Sequence, residues 1–218
     1  IEMYKKAVAI DPDFAMAYRA LGSAYHYIDL SEYKQYMDKA LEVSQRSDRV
    51  PIREKLIIRA GSPTLGREEN LKALTELLRL DPEDGMGNLL AGNLYLDIEE
   101  FAKAAECYEI CIRQKSQNIA PYNNFVAACV AQGEYERAQG AFEKALENVP
   151  AKGGVQKEIN YLLELRGEYG KALAQNEKLE RLSPEYWADC ADMRASIHLF
   201  RNQFAAAEAE IRRLIEDK

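Results

Sequence analysis

Histidine, cysteine and tryptophan are scarce in this chain, which has two, four and one of them among 218 residues. The histidines, His26 and His198, lie near opposite ends of the sequence. A nucleophilic triad needs a histidine beside its serine or cysteine, so neither histidine predicts one. The segment from Gly61 to Gly66 has no lysine and follows no predicted strand, which argues against a phosphate-binding loop. We therefore expect no enzyme activity, no metal and no cofactor.

Long apolar runs are missing too, because no stretch approaches the roughly 18 residues that a membrane-spanning helix needs. The 29 basic and 36 acidic side chains give a net charge of −7, which is the wrong sign for a general nucleic-acid binder. Residues 1–83 have a net charge of −1 and residues 84–218 a net charge of −6. We expect a cytoplasmic protein that binds neither nucleic acid nor membranes. We interpret its start, inside an apparent helix and without methionine, as that of a fragment.

The four cysteines sit where small apolar residues would pack, and no histidine is close enough in sequence to complete a zinc site. We predict free, buried thiols in a reducing compartment rather than disulfides. These residues are Cys107, Cys111, Cys129 and Cys190.

What the sequence does contain is a 34-residue repeat, which decides the fold. Four kinds of position keep this spacing: an aromatic residue, an alanine three positions later, a large residue further along the same helix, and a terminating residue. They are Phe101, Tyr135 and Tyr169; Ala104, Ala138 and Ala172; Leu74, Tyr108 and Phe142; and Pro82, Ser116, Pro150 and Pro184.

Packing physics explains the types of residue at these positions. Small residues such as Ala138 and Gly22 are needed where two helices cross at 8–10 Å. Gly133 and Gly167 can adopt the left-handed conformation that ends a helix and turns the chain. Pro12, Pro82, Pro150 and Pro184 stop the second helix of their own units. The repeat therefore predicts a series of helical hairpins.

The pattern resembles the tetratricopeptide repeat. A first-helix signature is seen in Tyr18…Leu21-Gly22…Tyr25, and a complete second-helix signature runs from Tyr135 to Pro150. The resemblance implies an all-α, right-handed superhelical solenoid of antiparallel helix pairs, with about six and a half repeats in one domain. We place a half unit at 1–13 and units at 14–50, 51–84, 85–118, 119–152, 153–186 and 187–218.

Two places depart from the pattern. Tyr33 occupies a slot that normally holds a small residue, and the unit at 51–84 is irregular because Gly61, Pro63 and Gly66 interrupt it. A narrower segment, Ser47–Ile58, is similar to repeat arrays fused to bacterial serine/threonine kinases, nucleotide cyclases or winged-helix regulators.

In such an array the first helices line the concave face, so their inward positions form the candidate peptide-binding groove. The resemblance implies that Asn93 and Asn124 could hold a peptide backbone, since an amide both donates and accepts hydrogen bonds. The full candidate set is Arg19, Ser23, Tyr27, Lys55, Arg59, Leu89, Asn93, Leu96, Asn123, Asn124, Ala127, Val130, Lys157 and Tyr161.

The groove does not match the two-carboxylate clamp of chaperone-binding relatives. Leu89, Gly154 and Glu158 stand where that clamp has basic residues. The apolar members instead predict a groove that combines apolar and amide contacts, with Arg19, Lys55 and Arg59 available to an acidic ligand segment.

These features predict a protein-interaction scaffold that captures a peptide or partner segment of unknown identity. One alternative is a regulatory or self-association module of a larger bacterial signalling protein, acting through the exposed terminal helix. Another alternative is a small-molecule sensor.

Overall fold

The computed structural model describes residues 1–150, 152–182 and 184–216, which contain thirteen α-helices, a short 3₁₀ helix at Pro184–Tyr186 and no strand. The predicted all-α architecture is confirmed. The helices are α1 (Glu2–Ile10), α2 (Ala15–Tyr25), α3 (Leu30–Arg46), α4 (Ile52–Ala60), α5 (Arg67–Leu80), α6 (Gly85–Asp97), α7 (Phe101–Arg113), α8 (Ala120–Ala131), α9 (Tyr135–Asn148), α10 (Lys152–Leu165), α11 (Tyr169–Leu182), α12 (Trp187–Phe200) and α13 (Phe204–Glu216).

The helices form two compact units, residues 1–94 and 95–218, and the division falls within α6. Consecutive helices from α1 to α5 pack on one another in the first unit, and those from α7 to α13 do so in the second. We propose that each predicted repeat corresponds to one helix pair, beginning with α2 and α3, and that α1 is the second helix of the half unit. The last two residues of the unit at 187–218 lie outside the described part of the chain.

Close helix packing in the first unit depends on Gly22. A Cβ atom built on Gly22 would lie 2.7 Å from Cγ of Met37 on α3, which is closer than atoms can approach. The glycine therefore lets α2 and α3 pack together, as its place in the repeat predicts. The same unit contains a cluster of buried apolar side chains: Ala15, Ala40, Val43, Val50 and Ile58.

The core of the second unit is built around large side chains that share the 34-residue spacing. Tyr108 on α7 is fully buried, and Phe142 on α9 is 1% exposed. By contrast Tyr135, at the start of α9, keeps part of its surface in solvent. The large position further along the second helix therefore contributes more to the core than the aromatic position at its start.

Left-handed turns separate the paired helices of the second unit. Gly133 and Gly167 have φ angles of 73° and 70°, as their place in the repeat predicts. After Gly133 the N–H of Glu134 donates to the carbonyl of Cys129 over 2.8 Å, which closes the end of α8. The equivalent position at the end of α6 is Glu99, whose φ of 61° is the conformation that favours glycine.

The irregular segment of the first unit is an ordered connection between α4 and α5. The Ser62 side chain is buried, and its Oγ lies 3.0 Å from Oγ1 of Thr64. The Asn70 side-chain amide donates to the Ser62 carbonyl over 3.0 Å. These hydrogen bonds satisfy polar groups that the interrupted helix leaves unpaired.

Candidate functional site

The candidate groove residues belong to the first helices of the proposed repeats, apart from Tyr27 in the turn that follows α2. The first unit holds Arg19, Ser23, Tyr27, Lys55, Arg59, Leu89 and Asn93. The second unit holds Leu96, Asn123, Asn124, Ala127, Val130, Lys157 and Tyr161.

Arg19 is the most unusual residue of the first set. Its guanidinium extends from α2 to α6, where Nη2 lies 3.5 Å from the Met86 sulfur. In the described part of the chain this thioether is its only hydrogen-bond acceptor, and the Nε atom is buried without a partner. Burial lowers the pKa of the Arg19 guanidinium, and the neighbouring Tyr33 opposes that shift. A largely desolvated positive charge thus has no carboxylate beside it in the described structure.

The other two basic residues of the first set have a different environment. Lys55 and Arg59 border a cavity of about 390 Å³ together with residues of α3 and α5. The Arg59 guanidinium donates to a carboxylate oxygen of Glu69 over 3.2 Å. Arg59 is therefore already paired within the protein, whereas Arg19 is not.

An aromatic cluster lies beside Arg19 at the turn between α2 and α3. The His26 ring packs edge-on against Tyr27 and Tyr33, with ring centres 4.5 and 4.7 Å apart. Tyr27 is 95% exposed and Ser23 is exposed on α2, so both can contact a ligand. The sequence analysis included Tyr27 in the site but missed the edge-on packing of His26 against Tyr33.

The two neighbouring asparagines on α8 differ in their surroundings. The Asn123 side-chain oxygen is buried and has no hydrogen-bond partner. The Asn124 side chain is hydrogen-bonded to the Tyr108 hydroxyl. Burial in the core raises the pKa of this hydroxyl. Asn93 in the first unit also has an interaction partner within the protein. Asn124 therefore serves the core as well as any ligand.

Replacing Asn124 with alanine is expected to lower the free energy of unfolding by about 1–3 kcal/mol, because it leaves the buried Tyr108 hydroxyl without this partner. Urea unfolding followed by circular dichroism measures the change. The double variant Asn124→Leu/Tyr108→Phe removes both polar groups and should recover most of the loss. Wild-type stability in Asn124→Ala alone would show that the core does not need the amide.

The two candidate residues of α10, Lys157 and Tyr161, lie among charged groups of α10 and α12. The Lys157 ammonium donates to Asp189 over 2.6 Å, and this hydrogen bond raises the lysine pKa. Tyr161, one turn further along α10, is 54% exposed. Burial raises the pKa of Glu164, and the charge of Asp192 adds to that effect. Lys157 therefore has an internal counter-charge.

Arg194 is an important charged residue that the sequence analysis did not single out. It is buried on α12, where it donates to Glu210 over 2.9 Å and to Glu180 over 2.7 Å. The sequence showed only a polar stretch at this point, and the carboxylates lie on α11 and α13. This cluster ties three helices together and leaves no charge unpaired among its members.

The structure offers no evident metal site in the residues that it describes. They contain no group of three or more histidine, cysteine or acidic side chains placed to bind a metal ion. The cysteines are free thiols in the structure: Cys111, Cys129 and Cys190 are buried, and Cys107 is partly buried. None of the described helices is both long and apolar enough to cross a membrane.

Comparison with known proteins supports the helical-hairpin interpretation. Residues 128–186 match the family model described as tetratricopeptide repeat. No curated protein sequence matches the chain significantly.

Many solved structures share the fold, although their sequences are distant. A tetratricopeptide repeat protein from Parabacteroides merdae is 19% identical, with a TM-score of 0.60 over 99% of this chain and 84% of that one. The type IV pilus biogenesis factor PilW is 16% identical, with a TM-score of 0.67 over 92% and 91%. MamA is 17% identical, with a TM-score of 0.57 over 68% and 86%. Residues 128–186 thus match the tetratricopeptide repeat, and the chain shares the fold of these solved structures.

Proposed function

We propose that the chain is a non-enzymatic, cytoplasmic protein-interaction scaffold, and that the first helices of its first unit bind an acidic peptide segment of a partner. Tetratricopeptide repeats generally serve as interaction scaffolds, which supports the broad role. The ligand chemistry rests on the surroundings of Arg19.

The observation that carries the proposal is the incomplete hydrogen bonding of the Arg19 guanidinium. This group offers five N–H donors in a planar fork, while a thioether is a weak acceptor. A buried donor left without a partner costs about 1–3 kcal/mol. A carboxylate from a ligand could accept two parallel, charge-assisted hydrogen bonds from the guanidinium. Ligand binding would thereby relieve a cost that the free protein bears.

The surface beside Arg19 supports a ligand longer than a single carboxylate. Ser23 lies one turn further along α2 and offers a hydroxyl group, and the exposed Tyr27 offers an amphipathic ring. Tyrosine contributes a large contact area at low conformational cost, which is why it is common in binding surfaces. A peptide with one acidic side chain at Arg19 and an apolar side chain near Tyr27 would satisfy both features.

Replacing Arg19 with methionine is expected to raise the free energy of unfolding by about 1 kcal/mol, since a poorly paired buried charge is removed while the aliphatic volume is kept. The same change should abolish acidic-peptide binding at this surface. Chemical unfolding tests the first effect. Selection from a random library of displayed peptides tests the second.

The matched control is Arg212→Met, which removes the same charge from an exposed ion pair on α13. Some peptides should be captured by the wild type and by Arg212→Met but not by Arg19→Met. We expect these peptides to be enriched in aspartate and glutamate. If Arg19→Met retains every peptide that the wild type selects, the proposed site is wrong.

Exposure of α1 favours self-association as a second candidate. This helix has no buried residue, and its Met3 and Ile10 side chains are 82% and 85% exposed. Association through α1 would make the sedimentation coefficient rise with concentration, and Met3→Ser/Ile10→Ser would remove that rise. A mass that stays monomeric at all concentrations would leave peptide capture as the supported role.

A further inference from the structure

A groove lies in the second unit between α7 and α9, which are the second helices of their proposed repeats. It encloses about 570 Å³. Its apolar lining comes from Ile112 on α7, Phe125 on α8 and Ala141 on α9. None of the predicted groove residues borders it.

One stripe of α9 forms a wall of this groove. Arg137, Gly140, Ala141 and Lys144 are spaced three, four and seven positions apart, which places them on the same helix face. Glycine is unfavourable inside a helix, and a Cβ atom built on Gly140 would meet nothing within 4 Å. Packing within the chain therefore does not require this glycine, and its effect is to leave the groove open.

The charges around the groove are mainly positive. Arg113, Lys115, Arg137 and Lys144 border it, against two acidic residues, Glu109 and Glu147. Residues 84–218 as a whole have a net charge of −6, so this groove is a basic region on an acidic part of the chain.

Arg137 makes ion pairs within the protein, in contrast to Lys115 and Lys144. Arg137 donates to Glu109 over 2.6 Å and to Glu134, and its guanidinium lies 5.3 Å from the centre of the Phe125 ring. It is therefore a fixed part of the wall. Lys115 and Lys144 have no carboxylate partner among the described residues, so both ammonium groups are available to a ligand.

We propose that this groove is a second docking site, and that its occupant is an acidic peptide segment of a partner protein. An apolar side chain of that segment enters the groove beside Gly140. Its carboxylates pair with Lys115 and Lys144. Charge complementarity selects the occupant, and the apolar floor supplies the contact area that desolvates the ion pairs.

The test measures fluorescence anisotropy of a labelled peptide of glutamate and aspartate with one central leucine. Lys144→Glu is expected to weaken binding about tenfold or more by charge reversal. The control Lys178→Glu makes the same change of charge at an exposed site on α11 and should bind as the wild type does. Gly140→Leu fills the groove and should abolish the binding that remains in Arg19→Met, whereas Gly170→Leu, another open helix position, should not.

Several results would overturn the proposal. Equal losses in Lys144→Glu and Lys178→Glu would mean that only net charge matters. The proposal would also be contradicted if Gly140→Leu bound the probe with wild-type affinity, or if a probe with serine in place of leucine bound equally well. It would likewise be contradicted if the probe did not bind at all. Arg19→Met should leave this affinity unchanged, because loss of binding there would place the probe on the first-helix surface instead.

Discussion

Replacing Phe142 with alanine should lower the free energy of unfolding by about 3–5 kcal/mol. Phe142 is 1% exposed on α9 and is among the largest fully buried side chains in the described residues. Truncation removes the transfer free energy of the ring and leaves a cavity that rigid neighbouring helices fill only in part. Urea unfolding monitored by circular dichroism measures the loss.

Tyr135→Ala is the matched control for this effect, because Tyr135 is an aromatic residue of the same helix that keeps part of its surface exposed. We expect it to cost markedly less than Phe142→Ala. Equal costs would mean that the two aromatic positions of the repeat contribute equally, contrary to their burial.

Replacing Arg194 with alanine should lower the free energy of unfolding by about 3 kcal/mol. The Arg194 side chain is 8% exposed and makes ion pairs with both Glu180 and Glu210. Its removal leaves Glu210 without this cation and leaves Glu180 with Arg213 alone. We expect the lower end of the range for broken buried pairs, since each carboxylate side chain is still 21% exposed.

A pH series separates the ion pairs from simple packing. Burial acts to raise the pKa of Glu180, but hydrogen bonds and charge from Arg213 and Arg194 outweigh it and hold this pKa below its usual value. A lowered carboxyl pKa contributes stability above its unfolded value, and this contribution is lost as the pH falls through the folded value. The difference between wild type and Arg194→Ala should therefore shrink in acid. A difference that is the same at every pH would point to lost packing alone.

Arg194 and Arg19 show how the same residue type can serve opposite purposes. Arg194 has two carboxylates in contact, so its removal should destabilise the protein. Arg19 has a thioether as its acceptor, so its replacement by methionine should stabilise it. The proposed ligand-binding role of Arg19 requires that the free energy of unfolding falls in Arg194→Ala and rises in Arg19→Met.

The repeat spacing could predict the helices, the turns and several core positions. Gly22 packs against α3 and Gly133 adopts the left-handed conformation because these needs are local, so a residue type at a fixed offset reveals them. Phe142 is buried for the same reason: its position in the helix determines which face it occupies.

The hydrogen-bond partners of the candidate site residues could not be predicted from the repeat spacing. Helix periodicity gives the face of Arg19 but not its reach to Met86, which is 67 residues away in sequence. Asn124 occupies a predicted groove position, yet its hydrogen bond to Tyr108 depends on a side chain from the preceding helix. Partners from other helices decide whether a polar group is free for a ligand, and residue spacing carries no information about them.

The most direct test observes the Arg19 side chain while a ligand binds. The Nε–H resonances of the arginines in ¹⁵N-labelled protein would be followed during titration with an acidic peptide whose capture depends on Arg19. Movement of the Arg19 resonance to saturation, with the Arg194 resonance unchanged, is the predicted result. Saturable binding of the peptide with no change at Arg19 would contradict the account.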